Sequence, residues 1–452
     1  MDTAAQPTEE QQYIGTIKVE GLFGKFDHTV ELKEGGLTIL YGENGVGKTT
    51  LFKLIYYGLE YCRYGGDPIE ESYLRMIPFD KIIILNQHGN VMYHIWKEAN
   101  EKHKYLQNLL YSEYYKEGYK KVDVEIFHLL TDFFPRELSE FYSRSRSRHL
   151  IINRKTKGRL SYKDFAKKYK HVGNDILFEE NLKNHPIPHF IPSSRIQDNS
   201  EINVTSIAKS FLNIVSDAEN AFETKIRELS SSQNRRIFEN QVSTDVEDAK
   251  LQEKLQELQL KIQQLQQVGL LYQQETPITS ISDKLTKVAK AIVAINTNDY
   301  LEALTAFDDL YPKLVLLLDI INNRRFSHKK IYINKIEGLT VRNDEGKLLS
   351  LENLSSGEQH ELVLIYNLLF RHSKNKRKKL FLIDEPEISL HLLWQQDFVK
   401  DMQEIIKLTG IQIITATHAP GIINGNWDLT VNLKYPEPKA HSASEEKEEE
   451  DA

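Results

Sequence analysis

The stretch Gly42-Glu43-Asn44-Gly45-Val46-Gly47-Lys48-Thr49 constrains this chain more than any other feature. It fits the pattern GxxxxGK[ST]. A short apolar strand pattern, Leu37 to Tyr41, leads into it, and a helical pattern from Thr49 to Leu59 leaves it. Glycines let a loop wrap closely round phosphate, with backbone N–H groups turned inward. Lys48 is then placed to neutralise β and γ phosphates, and the Thr49 hydroxyl to hold Mg²⁺. The loop residues Gly42 to Thr49, with Thr50, are the predicted nucleotide contacts.

Three further segments carry chemistry. Leu380-Phe381-Leu382-Ile383-Asp384-Glu385 reads as a buried strand that delivers two carboxylates at its C-terminal end, where ligands bind in α/β sheets. Asp384 is suited to hydrated Mg²⁺, and Glu385 to activating a water for attack on a γ-phosphate. Ser355, Ser356, Gly357 and Glu358 precede the apolar-periodic Leu362, Val363, Ile365 and Leu368. They offer hydroxyls and a positive helix end to a second phosphate; the alternative is an ordinary helix cap. His418 follows the apolar run Ile411–Ile414, which is expected to neighbour the Asp384 strand.

Composition narrows the classes. Hydrophobic residues make up 40% and charged residues 27%, which is ordinary for a chain with real cores. The longest apolar run, Leu314 to Leu318, is far short of the ~18 residues that span a bilayer, so no membrane is expected. Met1 to Gln12 has no apolar signal core, which argues against a secretory leader. The single cysteine, Cys62, excludes an internal disulfide and a Cys-based zinc site, so a reducing, cytoplasmic location is expected. The net charge is -7, of which Glu445 to Asp451 supplies -5, so global charge does not identify partners. Two basic clusters, Arg144 to Arg159 and Arg371 to Lys379, suit a polyanion such as nucleic acid or form solvated loops.

The pattern along the chain divides it. Residues 1–12 and 436–452 read as disordered tails. Residues 13–202 are mixed, with paired strands at Thr16–Glu20 and His28–Leu32, a hairpin across Lys81–Trp96, and mostly helical character over 97–185. Residues 203–325 are helical. There Leu251, Leu255, Leu258, Ile262 and Leu265 form a heptad seam, and Ile281, Leu285, Val288 and Ile292 repeat the spacing after Pro277. Two short antiparallel arms of about 33 Å are the simplest reading. Their seam is expected to pack against itself or another subunit, with self-association favoured. Residues 326–435 return to a mixed pattern. The fold class is therefore α/β, with a helical insertion.

These four motifs, in this order, resemble the ATP-binding-cassette (ABC) ATPase superfamily. Lys48 matches its Walker A, Asp384 and Glu385 its Walker B, Ser355 to Glu358 its signature, and His418 its switch histidine. The resemblance implies a P-loop head split by a short coiled coil, with ATP and Mg²⁺ as cofactors. It implies ATP held between the Walker A of one subunit and the signature of another, so a homo-oligomer, at least a dimer and up to a ring. Glu385 becomes the general base and His418 the γ-phosphate sensor. The glutamate in Leu354-Ser355-Ser356-Gly357-Glu358 resembles the chromosome-maintenance and repair branch. His391 in Glu387–His391 resembles ATPases related to the overcoming-lysogenization-defect (OLD) proteins. For the glutamine loop, Gln197 within His189–Gln197 matches that branch better than Gln87.

The separation of 306 positions between Lys48 and Leu354 disfavours a transporter cassette. No acidic nuclease cluster follows His418, so any effector is expected to be a separate nuclease subunit. In size and layout the chain resembles the ATPase subunits of bacterial anti-phage systems, most of all the AriA family of the phage anti-restriction-induced system (PARIS), with the PtuA family of Septu a rival. The partners implied are a Toprim-type nuclease, a viral trigger protein and nucleic acid. The alternative is a repair ATPase of the RecF type that binds DNA directly.

Overall fold

The computed structural model describes residues 13–64, 77–96, 141–143, 150–153, 159–161, 187–192, 203–238, 247–271, 286–334, 336–371, 379–388 and 390–434. In chain order the strands are β1 Ile14–Leu22, β2 Phe26–Glu31, β3 Leu37–Tyr41, β4 Lys81–Asn86, β5 Val91–Trp96, β6 Phe141–Ser143, β7 Leu150–Asn153, β8 Arg159–Ser161, β9 Ile187–Ile191, β10 Lys329–Asn334, β11 Gly338–Asn343, β12 Leu348–Leu349, β13 Lys379–Asp384, β14 Gln412–Thr417 and β15 Thr430–Asn432. The helices are α1 Lys48–Tyr64, α2 Val204–Phe238, α3 Asp248–Gln267, α4 Lys287–Leu304, α5 Leu310–Asp319, α6 Ser356–Phe370, α7 Leu392–Thr409 and α8 Pro420–Ile423. They fall into two compact units. The described residues of Met1–Pro192, Lys376–Pro386 and Ile411–Ala452 form one, and those of Ser193–Asn375 and Glu387–Gly410 the other.

The first unit contains a parallel sheet in the order β15-β3-β14-β13-β9 and an antiparallel sheet in the order β2-β1-β4-β5. Every residue of β13 and β14 is buried, as continuous apolar runs require when both faces are covered. β2 instead alternates, with Phe26, His28 and Val30 inward and Asp27, Thr29 and Glu31 outward. Helix α1 contributes Leu51, Phe52, Leu54 and Ile55 to one core that also takes residues from both sheets. Gln412, at the start of β14, bonds both the N–H and the carbonyl of Ile14 and so fixes the start of β1. The expected β1–β2 pairing and β4–β5 hairpin are present. The mostly helical character expected over 97–185 is not met by its described residues. Phe141–Ser143, Leu150–Asn153 and Arg159–Ser161 form a three-stranded antiparallel sheet, because runs such as Leu150-Ile151-Ile152 favour strands locally, whatever the composition of residues 97–185 as a whole.

The second unit is helical, with the small antiparallel sheet β10-β11-β12. All five seam residues, Leu251 to Leu265, are buried within it, Leu251 and Leu255 against Val293. Burial of the seam therefore needs no second subunit. Nor do the two arms run antiparallel. Asp248 meets Lys290, Lys254 meets Asn298, and Lys261 meets Asp308, so α3 and α4 run parallel. The antiparallel neighbour of α4 is α2, through Lys225–Glu302 and Arg236–Asp299. Lying between two helices, α4 buries two stripes, and Val288, expected in the seam, is 59% exposed. Ile281 and Leu285 lie outside the described residues, as do both tails.

Buried charges tie this unit together. Arg325 ends a π-helical turn, Ile320–Arg325, and is 1% exposed between Glu361 of α6, at 2.8 Å, and Asp401 of α7. Burial pushes both carboxyls up, and Arg325 pulls them down. Arg324 bridges Asp319, Asp401 and Glu404.

Candidate active site

The parallel sheet decides which motifs meet. β14 lies between β3 and β13, in register so that Leu40, Ala416 and Asp384 form one row. The glycine loop, the carboxylate pair and His418 therefore leave the C-terminal ends of three neighbouring strands. At ~4.8 Å between strands, the start of the loop lies about 10 Å from the carboxylates in the sheet plane. The loop closes that distance: the Thr49 hydroxyl donates to the Asp384 carboxylate at 2.8 Å. His418 Nδ1 lies 3.6 Å from Glu385 Oε1, beyond hydrogen-bond reach but within ion-pair range when the ring is protonated. As expected from the sequence, β14 pairs with the Asp384 strand.

The loop backbone explains its glycines. Gly47 has φ +92, and a β-carbon there would lie 2.8 Å from Leu22 Cδ2. A β-carbon on Gly42 would lie 2.7 Å from the Leu433 carbonyl oxygen. Val46 is 1% exposed and anchors the loop in the core. Glu43, Asn44 and Gly45 are exposed, and Thr50 is half-buried. Lys48 Nζ donates to the carbonyls of Gly42 at 2.7 Å and Glu43 at 2.9 Å, which sets the ammonium inside the curve of the loop. Glu385 takes the left-handed conformation, φ +47, and its N–H donates to the Ala416 carbonyl. A non-glycine residue there stores roughly 1–2 kcal/mol of strain, held by the neighbouring strand.

Ser355 to Glu358 belong to the other unit. Ser355 caps α6: its hydroxyl accepts from the Glu358 N–H, and the Glu358 carboxylate accepts from the Ser355 N–H at 2.7 Å. Ser355 and Ser356 are exposed. Lys329 pairs with Glu358 at 2.8 Å. Burial works to raise the Glu358 carboxyl, but Lys329 and the Ser355 amide outweigh it and hold it below its usual range. His391 caps α7 through Nδ1, which accepts from the Leu393 N–H.

Gln87 is not near the loop. Its backbone N–H donates to the Tyr13 carbonyl and its side chain accepts from the Tyr13 N–H, at the start of β1. Leu22, at the other end of that strand, is the residue against Gly47, about 30 Å away for nine extended residues. Gln197 lies outside the described residues, as does most of the Arg144–Arg159 cluster.

Sequence reading missed two aromatics beside the loop. Phe23, φ +57 and 44% exposed, brings its ring to 3.4 Å from a β-carbon position on Gly47. Trp427 stands edge-on to Tyr41, at 5.5 Å between ring centres. The one available signal for Phe23 was its place in the turn Gly21-Leu22-Phe23-Gly24.

Oxygen donors at Thr49 and Asp384, set 2.8 Å apart, are the set a hard cation such as Mg²⁺ takes. Among the described residues no group of three or more His, Cys, Asp or Glu side chains forms a metal cluster, and no helix is long and apolar enough to cross a membrane.

The family described as AAA ATPase domain matches residues 13–423. No curated protein sequence matches the chain. Among solved structures, the Smc head domain with an extended coiled coil bound to the C-terminal domain of ScpA, from Pyrococcus furiosus, matches at 11% identity, TM-score 0.32, over 91% of this chain and 91% of that chain. The SmcHead bound to the C-winged helix domain of ScpA matches at 11% identity, TM-score 0.33, over 92% and 91%.

Proposed function

The chain belongs to the AAA ATPase domain family and is an ATPase, and we propose from that premise how its residues divide the reaction. The observation that carries the reading is the convergence of Lys48, Thr49, Asp384, Glu385 and His418 on the ends of β3, β13 and β14. Backbone N–H groups of Gly45 to Thr50 and the Lys48 ammonium hold the ATP phosphates. Thr49 and Asp384 would hold Mg²⁺, which would supply charge neutralisation for the phosphoryl group being transferred. Glu385 takes a proton from water as its oxygen bonds the γ-phosphorus and the bond to the β,γ-bridging oxygen breaks. The left-handed turn at Glu385 aims its carboxylate beyond the strand end, and His418 beside it hydrogen-bonds the γ-phosphate.

Ser355 to Glu358 are proposed to complete the site from a second copy of the chain. The test is a mixture of Lys48→Ala and Ser355→Arg chains, each inactive alone. Recovered hydrolysis supports shared sites; none at any ratio argues against them. Glu385→Gln should keep ATP bound and slow hydrolysis by about 10²–10⁴-fold. Turnover at the wild-type rate would place the base elsewhere.

At the level of the cell, we propose an oligomeric sensor and scaffold of an anti-phage system, most like AriA, that holds a separate nuclease silent until a viral trigger arrives. Support comes from the signature ending in Glu358, from His391 and from the compact helical insertion. The test is phage challenge of cells carrying the native gene neighbourhood, with copurification of its products. Protection lost in Lys48→Ala, together with a bound nuclease, supports the reading. Salt-dependent DNA binding that stimulates hydrolysis, with no such partner, favours the repair ATPase and the Arg144–Arg159 cluster as its contact.

A further inference from the structure

We propose that His28 is a positioning residue for the phosphate loop, acting through the Val46 carbonyl. The inference rests on the reading of Gly42–Thr49 as the nucleotide site. His28 occupies an inward position of β2, 4% exposed, where a polar side chain needs a partner. Its ring stacks on Phe26 at 5.7 Å, with the planes 19° apart. Its Nε2 lies 2.8 Å from the Val46 carbonyl oxygen. A carbonyl only accepts, so Nε2 carries the proton and donates.

That bond turns a peptide. In a planar trans peptide the C=O and the following N–H point in opposite directions, and no cis peptide occurs among the described residues. With the Val46 carbonyl held toward β2, the Gly47 N–H points away from it. The β1–β2 hairpin lies on the outer side of the loop, since Leu22 and Phe23 pack where a Gly47 β-carbon would stand. The Gly47 N–H is thus directed to the inner side, where the Lys48 ammonium lies. Gly47, at φ +92, has no side chain of its own to restrict its backbone. The histidine supplies the restriction that the glycine lacks. Its product is an amide fixed in advance toward phosphate, which lowers the ordering cost of binding.

The test uses the full chain and ADP, with binding measured by calorimetry. His28→Phe keeps a ring to stack on Phe26 and removes the donor. It should weaken ADP binding about tenfold, the cost of freeing one buried carbonyl, and raise the KM for ATP while leaving kcat within about threefold. His28→Gln keeps an N–H and should recover most of the affinity. Equal losses in the two variants would overturn the proposal, because packing rather than the hydrogen bond would then matter. Undiminished binding by His28→Phe, alongside loss in Lys48→Ala, would also overturn it and leave the loop reading intact. Undiminished binding by Lys48→Ala would sink the loop reading and this one together. Should His28→Phe not fold, amide exchange of Gly47 in the unaltered chain decides: protection gained only with ADP supports the inward N–H, and equal protection without nucleotide overturns it.

Discussion

Helix α1 starts with no acidic residue in its first turn, on a glycine loop whose one cation, Lys48, is tied to the carbonyls of the loop itself. Helix α6 starts with Glu358, tied to its own cap Ser355 and to Lys329, and continues with Glu361, tied to Arg325. Both N-termini suit an anion in principle. At α1 the body of the helix is held by apolar residues, and its polar start carries the proposed nucleotide contacts. At α6 the charges hold the helix to its neighbours, and the exposed Ser355 and Ser356 carry the proposed contact with a second copy. Charge removed at α1 should therefore cost binding, and charge removed at α6 should cost stability.

The sharpest way to break this contrast is Arg325→Met. It leaves Glu361 buried without its cation and Asp401 with Arg324 alone, so unfolding free energy should fall by about 3–5 kcal/mol in denaturant titration. A change below about 1 kcal/mol would show that the carboxyls are not ionised there. Lys48→Ala should do the reverse. Nucleotide affinity should fall about a hundredfold with the melting temperature nearly unchanged, since the ammonium donates charge-assisted bonds that a ligand uses. Ser355→Ala should remove about 1 kcal/mol through the lost cap, and thermal denaturation resolves it. The smallest effect is the pH dependence of Glu358. Its carboxyl is lowered in the folded state, so its contribution is complete above the ordinary value of 4.5 and is lost as pH falls through the folded value. Glu358→Gln should flatten that part of the acid unfolding curve; an unchanged slope would remove Glu358 from the account.

The parts of the site read from sequence are those whose geometry is nearly covalent. Gly42 to Thr49 are contiguous, and Asp384 and Glu385 end a single strand, so local pattern placed them. Apolar runs such as Ile411–Ile414 announced strands covered on both faces. The seam of α3 was legible because its period marks a buried face. The direction of its neighbour was not, because periodicity carries no polarity, and α4 hid its two stripes by lying between two helices. His28 and Phe23 were invisible for a related reason. Each is one residue on a hairpin, and only the fold brings it against Val46 or Gly47. The β6–β7–β8 sheet was lost to composition, where short apolar runs sit among Arg, Ser and Lys within a longer stretch rich in Lys, Glu and Tyr.

Thr49 and Asp384 touch across 335 residues of chain, and Ile14 and Gln412 across 398. Asp384, at the end of β13, is thus synthesised 335 residues after Thr49. At roughly 5–20 residues per second, a nascent chain that has exposed its glycine loop waits on the order of 20–70 s for β13 and β14. During that time β3 has an unpaired edge and α1 an uncovered apolar face. Loop-closure entropy of this size makes the sheet slow to form even once the chain is complete. The helical segments from α2 to α5 rely on nearer contacts and have that interval in which to fold. A nucleotide site that needs Asp384 beside Thr49 therefore stays incomplete until β13 and β14 have been made and have joined β3.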